Sequence, residues 1–205
     1  MKTLQILAKH SRREGAALSD RSGHSKALAR RPYAPGVHGP TGRSRPTDYG
    51  KQLREKQKAK RIYGLNERQF RNLFDEAVSK RGDSGQTLVS LLERRLDNLV
   101  YRAGFAKTRA AARQSVSHAH FMVNGKKVNV PSYRVRVGDT ITLRENKRQK
   151  ALWKGIEEGL AKRETPSWVS VRPAEYAAQV TAVPAGQDLQ QPFDVKLIVE
   201  FYSRQ

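Results

Sequence analysis

Apolar side chains follow no period over residues 1–46 and settle into helical and strand rhythms beyond them, so only the later part of the chain predicts a core. In the first stretch Arg30, Arg31, Pro32, Tyr33, Pro35, Gly36, His38 and Pro40 set an extended, turning path in which arginine, histidine and tyrosine offer charge and stacking surface. Such a segment suits moulding to RNA, and a flexible basic tail is the plainer alternative. Thr47 to Tyr63 favours helix, with Gly64 to end it. Its Lys51, Arg54, Lys56, Lys58, Lys60 and Arg61 cover most of the circumference against Asp48 and Glu55, so this helix requires an anionic neighbour.

Asn66 with Gln69 forms a variant capping box, and Phe70, Leu73, Phe74 and Ala77 follow at core spacing. After the breakers Gly82, Ser84 and Gly85, one helix carries the stripe Leu88, Leu91, Leu92, Leu96, Leu99 and Val100, leaving Arg94, Arg95 and Arg102 off it and available. Gly104 closes it. Thr108 caps a further helix through His118, whose Ala110, Ala111, Ala112 and Val116 make a small-residue packing face beside a basic one. Phe121–Val123, the turn Asn124-Gly125 and Lys126–Val130 read as a hairpin closed by a type I′ turn. Alternating Tyr133, Val135 and Val137 predict a third strand, and Thr140 to Leu143 a fourth, giving a compact α+β module. A helix is expected from Gln149 to Arg163 with Trp153 and Ile156 inward, then a strand at Trp168, Val169 and Val171. A loose segment from Pro184 to Pro192 leads to a buried, strand-like run from Val195 to Tyr202.

Charge sharpens this picture. The 205 residues hold 40 Lys and Arg against 19 Asp and Glu, a net +21 that favours a polyanionic partner. Residues 1–64 carry +12, residues 65–145 carry +7 and residues 146–205 only +2, so the electrostatic footprint lies toward the N-terminus. No apolar span is long enough for a membrane, and the apolar stretch from Leu4 to Ala8 is too short for a signal-peptide core; the expected compartment is the cytosol. The absence of cysteine excludes disulfides, thiolate zinc and a cysteine nucleophile.

Catalytic motifs are missing. The glycine-rich run ending Gly42-Arg43-Ser44 fails as a phosphate-binding loop, because Val37 stands where the first glycine belongs and Arg43 where the lysine does. His118 and His120 are two residues apart, which does not suit one helical face, and they read as packing or RNA-contact residues. No cofactor and no small-molecule substrate are expected.

Several strings together carry a resemblance: Arg12-Arg13-Glu14-Gly15, the run Pro35-Gly36-Val37-His38-Gly39, Asp48 through Lys58, Leu92 through Asn98, Val123-Asn124-Gly125, and Ile198 through Arg204. In this order they resemble the protein-four family of the bacterial-type small ribosomal subunit, over nearly the whole chain. The resemblance implies a non-enzymatic rRNA-binding constituent of the subunit. It implies an α+β fold: an extended basic segment at 1–46, a helical domain at 47–93 completed by 195–205, a module of two helices on a small antiparallel sheet at 94–157, and an extension with strand-like segments at 158–194. The implied role is to bind rRNA early at a multi-helix junction and nucleate the subunit body. The implied partners are the rRNA, neighbouring proteins, above all protein five at an interface linked to decoding accuracy, and messenger RNA where it enters the subunit.

The candidate rRNA-binding residues are Arg12, Arg13, Arg30, Arg31, His38, Arg43, Arg45, Tyr49, Lys51, Arg54, Lys56, Lys58, Arg61, Arg68, Arg71, Lys107, Arg109, Arg113, Lys126 and Lys127. Many relatives of that family carry four zinc-binding cysteines near the N-terminus. Ala8, Ser11, Arg21 and Lys26 stand at those places, and basic rRNA contacts are the expected replacement. His10, His24 and His38 lack the carboxylate support a metal site would need, so no metal is expected. Ser115, where the family commonly has leucine, is expected to loosen local packing. Two rival readings are an RNA-modifying enzyme carrying the same module, which needs a catalytic domain of its own, and a free RNA chaperone or architectural DNA binder, which would not reside in ribosomes.

Overall fold

The structure is a computed structural model that describes residues 6–41, 45–162 and 164–203. In chain order its helices are α1 (Ala8–Glu14), α2 (Ser22–Arg30), α3 (Asp48–Ile62), α4 (Glu67–Ser79), α5 (Ser84–Glu93), α6 (Leu96–Arg102), α7 (Arg109–Ser117), α8 (Glu145–Arg148), α9 (Ile156–Lys162) and α10 (Val195–Ser203). Its strands are β1 (Phe121–Val123), β2 (Lys126–Lys127), β3 (Thr140–Leu143), β4 (Val169–Arg172) and β5 (Ala177–Val180). Two compact units result: Met1–Leu88 with Gln191–Gln205, and Val89–Gln190.

The first unit departs from the extended leader predicted for residues 1–46, because α1 and α2 fold there and pack on each other. Their buried face is polar, made of Ser11, Glu14 and His24, and for that reason no apolar period betrays it. Ser11 Oγ shares a 2.7 Å hydrogen bond with His24 Nδ1 and accepts the Leu18 N–H at 3.2 Å. Gly15 stops α1 in the left-handed region that favours glycine. Beyond them, Pro35 to Gly39 turns as expected, with Gly39 N donating to Gly36 O.

Thr47 caps α3 by accepting the Gly50 N–H, and Asn66 with Gln69 closes the predicted box at the start of α4. One stripe of α3, Gln52, Lys56, Ala59 and Ile62, is buried, and α10 packs on α3. The strand expected at 195–202 is therefore a helix. Its run of β-branched residues reads locally as strand, yet Ile198 and Phe201, one helical turn apart, bury together, and tertiary packing overrides the local preference. Tyr202 stacks on Phe74 with ring centroids 4.6 Å apart.

In the second unit the long helix expected through Leu88–Val100 is broken in two at Arg94 and Arg95. The reason is a backbone ladder: Leu96 N donates to Tyr133 O and Val135 N to Arg94 O, so the segment expected as a third strand pairs with this helix connector and not with the sheet. The sheet is antiparallel with order β2-β1-β3-β5-β4. Asn124 and Gly125, at φ 50° and 74°, form the predicted turn between β1 and β2. Leu96, Leu99, Phe105, Val116, Phe121, Ile141, Leu143, Trp153 and Trp168 make one core, each large apolar side chain contributing about 1.5–3 kcal/mol. In place of the helix expected over 149–163, α8 ends at Arg148, turns run through Gly155 at φ 71°, and α9 begins only at Ile156. Trp153 anchors those turns by donating its indole N–H to His120 Nδ1 at 3.1 Å.

Candidate nucleic-acid interface

Glu14, Glu55 and Glu67 of the first unit draw selected cations into ion pairs, and this decides which cations are left over. Glu14, buried on α1, accepts from both Arg54 and Arg61 of α3. Burial pushes its carboxyl above the usual range, while the two guanidiniums pull the other way. Lys58 pairs with Glu55 at 2.6 Å. Lys56 and Lys60 both bond Glu67, the first at 2.7 Å, and the Lys56 ammonium lies 4.3 Å from the centre of the Phe201 ring. The expectation that α3 lacks acid partners is thus corrected, since the partners come from distant segments that a scan along the helix cannot reach. Lys56, only 5% exposed, is an interior residue and leaves the proposed surface; Lys58 and Arg61 are mostly covered, and Arg54 is half-buried against Glu14.

Glu67 makes a testable node. Burial would raise its pKa, but hydrogen bonds from Lys56, Lys60 and Tyr202 overcome this and hold it at about 2. A carboxylate with a depressed folded pKa stabilises the fold above its unfolded pKa, near 4.5, and that contribution is lost as pH falls toward 2. Glu67→Gln is therefore expected to lower stability at neutral pH and to flatten this acid leg, as followed by helical circular dichroism. An unchanged acid leg would show that the network does not bind Glu67 as drawn.

What remains outward is specific. Arg13, Arg30, Arg31, His38 and Arg45 are exposed around α1, α2 and the turn that follows, and Arg12 lays its guanidinium 4.9 Å from the centre of the Tyr33 ring. Arg68 and Arg71 are exposed on one side of α4 and form no ion pair among the described residues. Tyr49 is 57% exposed at the start of α3 and rests on Phe201, and Lys51 beside it pairs with Asp48 in the open. Arg43 lies outside the described residues.

In the second unit Thr108 caps α7 by accepting the Ala111 N–H, a bond worth about 1 kcal/mol, with exposed Lys107 just before it. Arg109 stacks on Tyr101 at 4.3 Å and donates to Asn98 Oδ1 at 2.8 Å, which orients it at the edge of α6. Arg113 is corrected to an interior position, 9% exposed, where burial lowers its pKa and Asp97, 3.7 Å away, counters that. Arg94, Arg95 and Arg102, expected to be available, bond Val135 O, Asp97 and Glu93 instead. Lys126 and Lys127 stand exposed on β2. Lys147, Lys150 and Lys154, absent from the sequence-based set, are exposed or half-exposed.

The positions implied for zinc do not fit a metal. Ala8 offers no donor, Ser11 Oγ is engaged by His24 and Leu18, and no group of three His, Cys, Asp or Glu among the described residues is placed to hold an ion. A polar clasp ties α1 to α2 there. No helix among the described residues is long and apolar enough to cross a membrane.

Two units that pair selected cations with acids and leave other cations outward define a nucleic-acid-binding protein. Residues 6–93 match the family described as Ribosomal protein S4/S9 N-terminal domain, and residues 94–141 match the S4 domain. The chain is 50% identical over 201 residues to the small ribosomal subunit protein uS4 of Roseiflexus sp. (strain RS-1), covering 97% of each. It is 48% identical over 201 residues to uS4 of Chlorobium limicola, again covering 97% of each. Identity with uS4 of Caldicellulosiruptor saccharolyticus is 50% over 197 residues and 94% of each. The chain belongs to the uS4 family of small ribosomal subunit proteins, a structural family and not an enzymatic one.

Proposed function

We propose that the chain binds small-subunit rRNA directly at a multi-helix junction in the cytoplasmic ribosome, nucleates folding of the subunit body, and borders protein five and the incoming messenger RNA. The observation that carries this reading is the sorting of charge: Glu14, Glu67 and Asp97 each engage two basic side chains, and Glu93 engages Arg102 and the Asn98 amide. Arg68, Arg71, Lys107, Lys126 and Lys127 meanwhile stay exposed, without ion pairs among the described residues. Phosphates fit these positions, and junction shape supplies specificity. In the test, affinity for a small-subunit rRNA transcript is measured against salt, beside a transcript whose junction has been disrupted. Preference for the intact junction and a log-log slope of about −0.7 to −0.9 per phosphate contact are expected. A flat slope would remove the electrostatic basis, and equal binding to both transcripts would favour a free RNA chaperone.

A further inference from the structure

A cavity of about 860 Å³ opens in the second unit between α7 and the turns that precede α9. Its floor is apolar, made by Phe105, Trp153 and Ile156, and its mouth carries Lys107, Lys154 and His118. Among the described residues no acid lines it. Leu152 at the rim is 63% exposed, an isolated aliphatic side chain between lysines. Burial, and after it the charges of Lys150 and Lys147, hold the His120 imidazole toward its neutral form. The outer wall is supplied by residues 151–159, beyond the segment that matches the S4 domain.

A volume of this order is ample for a small organic ligand, and the combination of an apolar floor with a cationic rim selects its chemistry. A nucleotide turned out of an RNA helix presents an apolar base face and an anionic phosphate in that arrangement. We propose that this groove receives an unstacked nucleotide of the rRNA, its base over Leu152 and Ile156 against His118 and its phosphates at Lys107 and Lys154. The inference rests on the RNA-binding reading above, because the groove continues the surface on which Lys107 stands.

Gly159 of α9 lines the groove, and a Cβ built there meets nothing within 4 Å, so this position accepts a side chain without a clash. The test uses the full chain and a small-subunit rRNA transcript. Gly159→Phe fills the groove, Gly159→Ala leaves it open, and Leu152→Asp places an anion on the exposed rim where folding is unaffected. Gly159→Phe and Leu152→Asp are expected to weaken binding roughly tenfold or more, as loss of one stacked base does, while Gly159→Ala binds like the parent. The salt slope of Gly159→Phe stays at the parental value, whereas Lys107→Ala with Lys154→Ala lowers it by about 0.7 to 0.9 per lysine. Ultraviolet crosslinking of the parent is expected to yield RNA-linked peptides from residues 147–160, lost in Gly159→Phe. If the parent binds steeply and both groove variants bind equally well, the groove proposal falls and the RNA-binding reading stands. If the parent itself binds without salt dependence, both fall. Variants that bind rRNA normally but fail to recruit another protein during subunit reconstitution would overturn the proposal in favour of a protein occupant.

Discussion

Asp97→Ala is expected to destabilise the second unit by about 3–5 kcal/mol, because it strands two buried guanidiniums at once. Asp97 Oδ1 and Oδ2 accept from Arg95 Nε and Nη2 at 3.2 and 3.3 Å, and Arg113 Nη1 lies 3.7 Å from Oδ2. The same carboxylate accepts the Asn98 N–H, which fixes the first turn of α6. Arg113→Ala removes a partner but leaves Asp97 satisfied by Arg95, so its effect should be smaller. Both tryptophans, Trp153 and Trp168, lie in this unit's core, so urea unfolding followed by tryptophan fluorescence isolates it. A loss below about 1 kcal/mol would mean that Arg95 and Arg113 reach water easily and that the buried triad is misplaced.

The second large effect concerns binding. Replacing Arg68, Arg71, Lys107, Lys126 and Lys127 together by Ala should weaken rRNA affinity roughly a hundredfold at moderate salt and lower the salt slope by several units. These residues are exposed and form no ion pair among the described residues, so the fold keeps its stability. Lys58→Ala serves as the contrast: its ammonium is bonded to Glu55 and its side chain is 13% exposed, so binding should change less than twofold. If Lys58→Ala matched the fivefold replacement, the division between inward and outward cations would have to be redrawn.

That division shows where sequence reading succeeds and where it stops. Caps and turns are local, and Asn66 with Gln69, Thr108, and Asn124-Gly125 take the conformations their side chains dictate. The fate of a lysine is not local. Glu14 reaches Arg61 across 47 residues and Asp97 reaches Arg113 across a helix, and no period records such partnerships. The polar interior of α1 and α2 misled the reading of residues 1–46 for the same reason, since burial of Ser11 and His24 leaves no apolar trace. Strand β5, Ala177–Val180, was hidden by its two alanines, which give no strand signal until β3 and β4 flank them. Family resemblance carried what composition could not, namely which polyanion the charge serves.

The placement of α10 bears on the order in which the chain matures. Gln52 donates to Glu200 at 2.9 Å, a contact across 148 residues, so the first unit is discontinuous and is sealed only when residues 195–203 have been synthesised. The second unit is a continuous stretch and can consolidate while the first still waits for its closing helix. Until then, the α3 stripe of Ala59, Ile62 and Lys56 lacks its cover, and nascent chains halted before residue 195 should be open to proteases within their first 88 residues.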